Sequence, residues 1–135
     1  MQNRSMPCGD VIPELPYPDV RAAAGWLCGA FGFRLRLRVG NHRAQLAVGS
    51  GSVIVVHGIP KQPCRVMVRV ADIDTHYLRA SGYGARVPDL PETHPYGERQ
   101  YIAIDLAGHL WVFSQTVADV NPADWGGEWL ETPEA

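Results

Sequence analysis

The chain repeats itself, and that repeat limits the folds open to it more than any other feature. Asp19 and Asp72, 53 residues apart (72 − 19), each stand at the head of a stretch whose apolar residues have helical spacing. With the same shift, Pro13, Leu15 and Tyr17 fall on Val66, Val68 and Val70. Ala30-Phe31-Gly32-Phe33 matches Ala80-Ser81-Gly82-Tyr83 after a short deletion. Towards the end of each half the shift becomes 57 (108 − 51), which sets Gly51, Val53, Ile54, Val55 and Val56 on Gly108, Leu110, Trp111, Val112 and Phe113. Each half then reads strand, helix, strand, strand, strand. The predicted class is α+β: two βαβββ modules, 11–58 and 64–115, within one domain over 11–118.

Local signals fill in the elements. Val11 to Tyr17 reads as a strand, limited by Pro13 and Pro16 to an edge position. Asp19 is an N-cap and Gly32 a C-terminal stop for the first helix. Phe33 to Val39 alternates apolar and arginine, which predicts a strand with one buried face. Arg43–Val48 and Ser52–His57 complete the first module. In the second, Arg65–Val70 is a strand, Asp72 caps a helix running to Leu78 and stopping near Gly82, and residues 85–90 form a further strand. Residues 91–98 form a loop. Tyr101–Ile104 and His109–Ser114 flank Asp105-Leu106-Ala107-Gly108, whose Asp and Gly suit the ends of a type I turn. Both flanking strands are apolar on both faces, so a helix covers one side and something else must cover the other. Residues 1–10 read as a flexible lead-in, and 119–135 as a loosely attached tail carrying Trp125 and Trp129.

Composition removes several function classes. With 135 residues and a net charge of −2, the chain offers no electrostatic case for nucleic acid or an anionic membrane. No apolar run approaches the roughly 20 residues that span a bilayer. MQNRSMPCGD lacks the apolar core of a secretory signal, so a cytoplasmic location is expected. Cys8, Cys28 and Cys64 have neither disulfide-framework nor zinc spacing, and reduced thiols are expected.

The strand ending in Pro-Asp ahead of an Ala-rich helix closing on AFGF, and the ending PYGER…D-x-x-G-H-L-W, resemble the vicinal oxygen chelate superfamily. That superfamily comprises glyoxalase I, bleomycin- and fosfomycin-resistance proteins and extradiol dioxygenases. The resemblance implies that the two modules form a cup-shaped mixed sheet, with metal ligands on the first and last strands of each half, which here are Ile12, Val55, Arg65 and Val112. None of these side chains can ligate a divalent metal, so the expectation is no metal and no cofactor. Of the histidines, only His57 with Glu14 offers another conceivable metal pair. His109 is expected to be a hydrogen-bonded turn residue.

Period-two counting gives the lining of the cup. Arg65, Met67 and Arg69 face it, with Glu14 from the first module. Val53, Val55 and His57 line one wall, and Leu110, Val112 and Ser114 the other. Such a mixture suits a small-molecule pocket, with Glu14 orienting an arginine and a tail tryptophan at the mouth; the other reading is that these residues fill a sheet–sheet core or a dimer contact. The expected function is metal-free binding of a drug or aromatic metabolite by a homodimer. The alternative is a lyase, isomerase or dioxygenase with non-standard active-site residues. No nucleophile–base pair can be read, and catalytic residues stay unassigned.

Overall fold

A computed structural model describes residues 1–131. The elements are β1 (Glu14–Tyr17), α1 (Val20–Phe31), β2 (Arg34–Val39), β3 (Arg43–Val48), β4 (Gly51–His57), β5 (Arg65–Arg69), α2 (Ile73–Tyr83), β6 (Glu92–Thr93), β7 (Glu98–Ile104) and β8 (Leu110–Thr116). They form two four-stranded mixed sheets, ordered β1-β4-β3-β2 and β5-β8-β7-β6. In each, the first strand runs parallel to the last and the remaining pairs are antiparallel. This is the predicted pair of βαβββ modules.

The caps act as the sequence implies. Asp19 Oδ1 accepts from Ala22 N at 3.1 Å, and Gly32 ends α1 at φ 76°. Asp72 accepts from Thr75 N at 3.2 Å and from its hydroxyl at 2.9 Å, and those two bonds hold its carboxyl below the usual range. The second helix runs past Gly82 to Tyr83 and closes on Gly84 at φ 105°.

No strand of one sheet is hydrogen-bonded to a strand of the other. The modules meet through α1 and α2, which share one core. Phe31, at the end of α1, lies 4.7 Å from the Phe113 ring and 5.8 Å from Trp111. Gly29 takes the Tyr83 ring against its α-carbon, where a side chain would collide. A second junction is polar. The buried Asp105 accepts from the Tyr17 hydroxyl at 2.6 Å, the Trp111 indole at 3.0 Å, and the backbone of Ala107 and His109. Burial, then the Asp105 charge, pushes the Tyr17 hydroxyl up, so it stays a donor. His109 sits beside it as a hydrogen-bonded turn residue, donating from Nε2 to Pro16 O at 2.9 Å and accepting at Nδ1 from Cys64 N.

His76 joins both helices to β7. Its Nε2 donates to the Phe31 carbonyl at 3.0 Å, which leaves Nδ1 to accept from the Tyr101 hydroxyl at 2.5 Å. Burial holds this imidazole below its ordinary 6.5, against the Phe31 carbonyl, and Arg79 adds to the lowering. The unfolded chain therefore takes up the proton first. Stability should be full above pH 6.5 and fall as the pH drops from there towards the lower folded value. Thermal unfolding between pH 8 and pH 5 should show that decline, and His76→Gln should flatten it.

Several elements differ from expectation. β1 is paired only from Glu14, although Pro13 O still accepts from Ile54 N at 2.9 Å. β2 buries neither face, because it is the sheet edge and a bulge between Leu35 and Leu37 breaks its alternation. The strand expected over 85–90 is a single bridge, Arg86 to Ile104, and the predicted loop carries β6 instead.

The largest correction concerns β4. Leu15 pairs with Val55 and Val68 with Phe113, so the shift between the last strands is 58 (113 − 55), not 57. Val53 and Val55 therefore point towards the helices with Leu15 and Tyr17, and Val55 is only 1% exposed in that core. His57 pairs with Tyr17 on the same side and is exposed at the strand's end. The helix-free face of β4 carries Ser52, Ile54 and Val56 instead. A one-residue slip moves every side chain of a strand to the other face.

Candidate functional site

The helix-free face of the second sheet carries the larger opening. Strand pairing sets Arg65, Met67 and Arg69 beside Leu110, Val112 and Ser114, with Ile104, Ile102 and Gln100 in the next strand. These six residues of β5 and β8 lie on the face that sequence counting assigned to them. A cavity of about 520 Å³ opens on it, lined by Arg65, Met67, Tyr96, Gln100, Val112 and Trp125. A neighbouring recess of about 160 Å³ shares Arg65, Gln100 and Val112, and reaches Leu90, Glu92 and His94. Met67 is 64% exposed in its floor.

Two segments roof this floor. The loop before β7 brings His94 and Tyr96, whose rings stack 5.1 Å apart at 11°. In the tail, Asn121 caps a 3-10 turn over Pro122–Trp125, and Trp125 meets Tyr96 edge-on at 5.5 Å. The tail expected over 119–135 is thus docked as far as Trp125; residues 132–135 lie outside the described residues. Arg99 pins the same loop through Asp74 at 3.0 Å and Thr93.

A directed hydrogen-bond chain crosses the floor. Burial pushes the Glu98 carboxyl up, but the hydroxyls of Thr116 and Ser114 and the charge of Arg69 outweigh it and hold it below its usual range. An ionised carboxylate only accepts, so Ser114 donates to Glu98 at 2.7 Å. The Ser114 oxygen then accepts from Gln100 Nε2 at 3.0 Å, which turns Gln100 Oε1 towards the Tyr96 hydroxyl, also 3.0 Å away. The charge at one end thereby fixes the direction of every bond, and Tyr96 spends its proton inward. Sequence counting found Ser114 but missed Glu98, Gln100 and Tyr96 as partners. Their only signal was the loop Pro95-Tyr96-Gly97-Glu98 ahead of the last hairpin.

Arg65 and Arg69 form no ion pair among the described residues. Glu14 does not orient either of them. It lies on the other sheet and pairs with Arg43 at 2.5 Å. Nor do Glu14 and His57 form a metal pair, because they stand on opposite faces of the first sheet. With the corrected register the family's ligand positions become Ile12, Ile54, Arg65 and Val112. Ile54 is no better a donor than the Val55 it replaces. Among the described residues, no three His, Cys, Asp or Glu side chains come together as a metal would need. No helix there is long and apolar enough to cross a membrane.

The paired βαβββ modules and this helix-free face have clear parallels. Residues 11–113 match the family described as the Glyoxalase/Bleomycin resistance protein/Dioxygenase superfamily. The chain belongs to that superfamily. It is similar to TioX from Micromonospora sp. ML1, with 36% identity and a TM-score of 0.73 over 80% of this chain and 98% of that one. Lactoylglutathione lyase from Agrobacterium tumefaciens (15% identity, TM-score 0.68, 79% and 92% of the two chains) shares the fold. So does the fosfomycin resistance protein FosX from Listeria monocytogenes (14%, 0.67, 82% and 94%). An uncharacterised protein of Mycobacterium bovis is 34% identical over 59 residues, which is 44% of this chain and 39% of that protein. The chain thus matches well under half the length of that curated relative.

Proposed function

We propose that this protein binds a small molecule without a metal, on the helix-free face of its second sheet. The observation that carries the reading is the cavity of about 520 Å³ that sets Arg65 beside Met67 and Val112, beneath Tyr96 and Trp125. Two aromatic rings meeting edge-on give a flat ligand area with defined geometry. A guanidinium below them gives directional bonds to an oxygen acid. Met67 adapts to the ligand's outline. The ligand class is therefore a planar, partly apolar molecule with an acidic edge. The absence of donors at Ile12, Ile54, Arg65 and Val112 supports binding without Lewis-acid chemistry. A second copy of the chain, related by a two-fold axis, would cover the open side of the half-cup, so the binding form is a homodimer.

Isothermal titration with 2-naphthoate tests this. Arg65→Ala should weaken naphthoate about ten- to a hundredfold, the 1.5–3 kcal/mol of a charge-assisted bond. Binding of uncharged 2-methoxynaphthalene should change far less. Equal loss for both probes, or none for either, would overturn the role given to Arg65. Sedimentation at micromolar concentration should give the mass of two chains, and zinc, nickel, manganese and iron should be absent after dialysis.

A further inference from the structure

On the first sheet, part of the helix-free face is already covered. Strand pairing makes Ile54 the counterpart of Val112, Gln45 of Ile102 and Glu14 of Met67. Ile54 and Val112 are alike buried, at 2% and 4% exposed, but Gln45 and Ser52 beside Ile54 are buried where their counterparts Ile102 and Leu110 are half-buried. Yet Ile54 belongs to no part of the helix-side core. What lies over this face is the segment expected to be a free lead-in. Arg36 Nη2 donates to Arg4 O at 2.5 Å, and Gln45 Nε2 donates to Ser5 O at 2.8 Å. Arg36 Nη1 donates to Gln45 Oε1, which fixes the two side chains as one unit. Pro7 is buried.

The bound segment has a defined shape. Met6 N donates to Asn3 O at 3.1 Å, and Ser5 N to Asn3 Oδ1 at 3.0 Å, so Asn3–Met6 is a β-turn closed by its own asparagine. Arg4 and Ser5 are its two central residues, and in an extended strand successive carbonyls would point to opposite sides. Here both reach the same guanidinium–amide pair. We infer that the helix-free face of the first sheet is a second binding site, one that reads the two successive carbonyls of a peptide turn and is held shut by the chain's own residues 1–10. A peptide-like molecule presenting such a turn, followed by an apolar group in the place of Pro7, is the ligand class it would take. Arg36 and Gln45, which hold the turn, are not among the residues lining the cavity on the second sheet, so either site could fail without the other.

The test uses the full chain and a fluorescein-labelled peptide of residues 1–10, MQNRSMPCGD. Pro7→Glu places a charge where the segment is buried and should evict it, raising amide exchange over residues 4–8 at least tenfold. The evicted protein should then bind the labelled peptide at least tenfold more tightly than the wild type. Adding Arg36→Ala and Gln45→Ala should abolish that gain. In the wild-type background those two substitutions should themselves speed exchange over residues 4–8, a readout that does not depend on Pro7. Release of the segment without any gain in peptide binding would overturn the inference. So would exchange over residues 4–8 in the wild type as fast as in the free peptide.

Discussion

Asp105→Ala should destabilise the protein by about 3–5 kcal/mol, the largest loss expected of any single substitution outside the aromatic core. The carboxylate accepts four hydrogen bonds, from the Tyr17 hydroxyl, the Trp111 indole and two backbone N–H groups. Alanine would leave all four donors without that acceptor, two of them on side chains that are among the most deeply buried in the chain. A buried donor left unsatisfied costs about 1–3 kcal/mol, and relaxation and water entry recover part of the total. The same residue ties β1 to the turn before β8, so its loss also loosens one module against the other. Urea unfolding at pH 7.5 should show the midpoint falling with the slope little changed. Asp105→Asn, which keeps an acceptor for Tyr17 or Trp111, should lose clearly less. A loss below 1 kcal/mol for alanine would mean that Tyr17 and Trp111 find other partners.

That junction was partly legible in the sequence. Asp105 and Gly108 announce a turn, and Gly108 N indeed donates to Asp105 O at 3.0 Å. Nothing local says that the Asp105 side chain also binds Tyr17, because that contact spans 88 residues. The repeat fixed both helices and their N-caps. It misplaced β4 because it matched Gly51 to Gly108 as though their turns had equal length. Val48 pairs directly with Gly51, leaving only Gly49-Ser50 between the strands, whereas Asp105–His109 separate Ile104 from Leu110. Gly51 is therefore already strand, with Gly49 taking the positive φ of 55°. One residue of misalignment carried Val55 and His57 to the wrong face. No such ambiguity arose in β5, where arginine alternates with valine around Met67, so the outward set was right. Docking of residues 1–10 had no visible signal: a polar decapeptide with Pro and Gly looks the same whether free or bound.

Val112→Trp should abolish binding of 2-naphthoate, with affinity falling more than a hundredfold, while the fold stays intact. Val112 is the one β8 residue shared by both recesses on the second sheet, between Arg65 and Gln100. Its neighbours across the strands are Met67 and Ile102, so it sits at the centre of the floor. Val112 itself is only 4% exposed, and the room for an indole lies in the two recesses that it lines. The indole would stand in the path between Arg65 and the Tyr96–Trp125 pair and deny a flat ligand both contacts at once. In a close-packed interior the same enlargement would force its neighbours off their rotamers and cost about 1–3 kcal/mol or more. Over an open cavity that penalty is largely avoided. Val55→Trp makes the control, since Val55 occupies the helix-side core beside Leu15. Thermal unfolding should place Val112→Trp within a few degrees of the wild type and Val55→Trp far below it. If Val112→Trp unfolds as readily as Val55→Trp, the position is packed core and the proposed binding site fails at its centre.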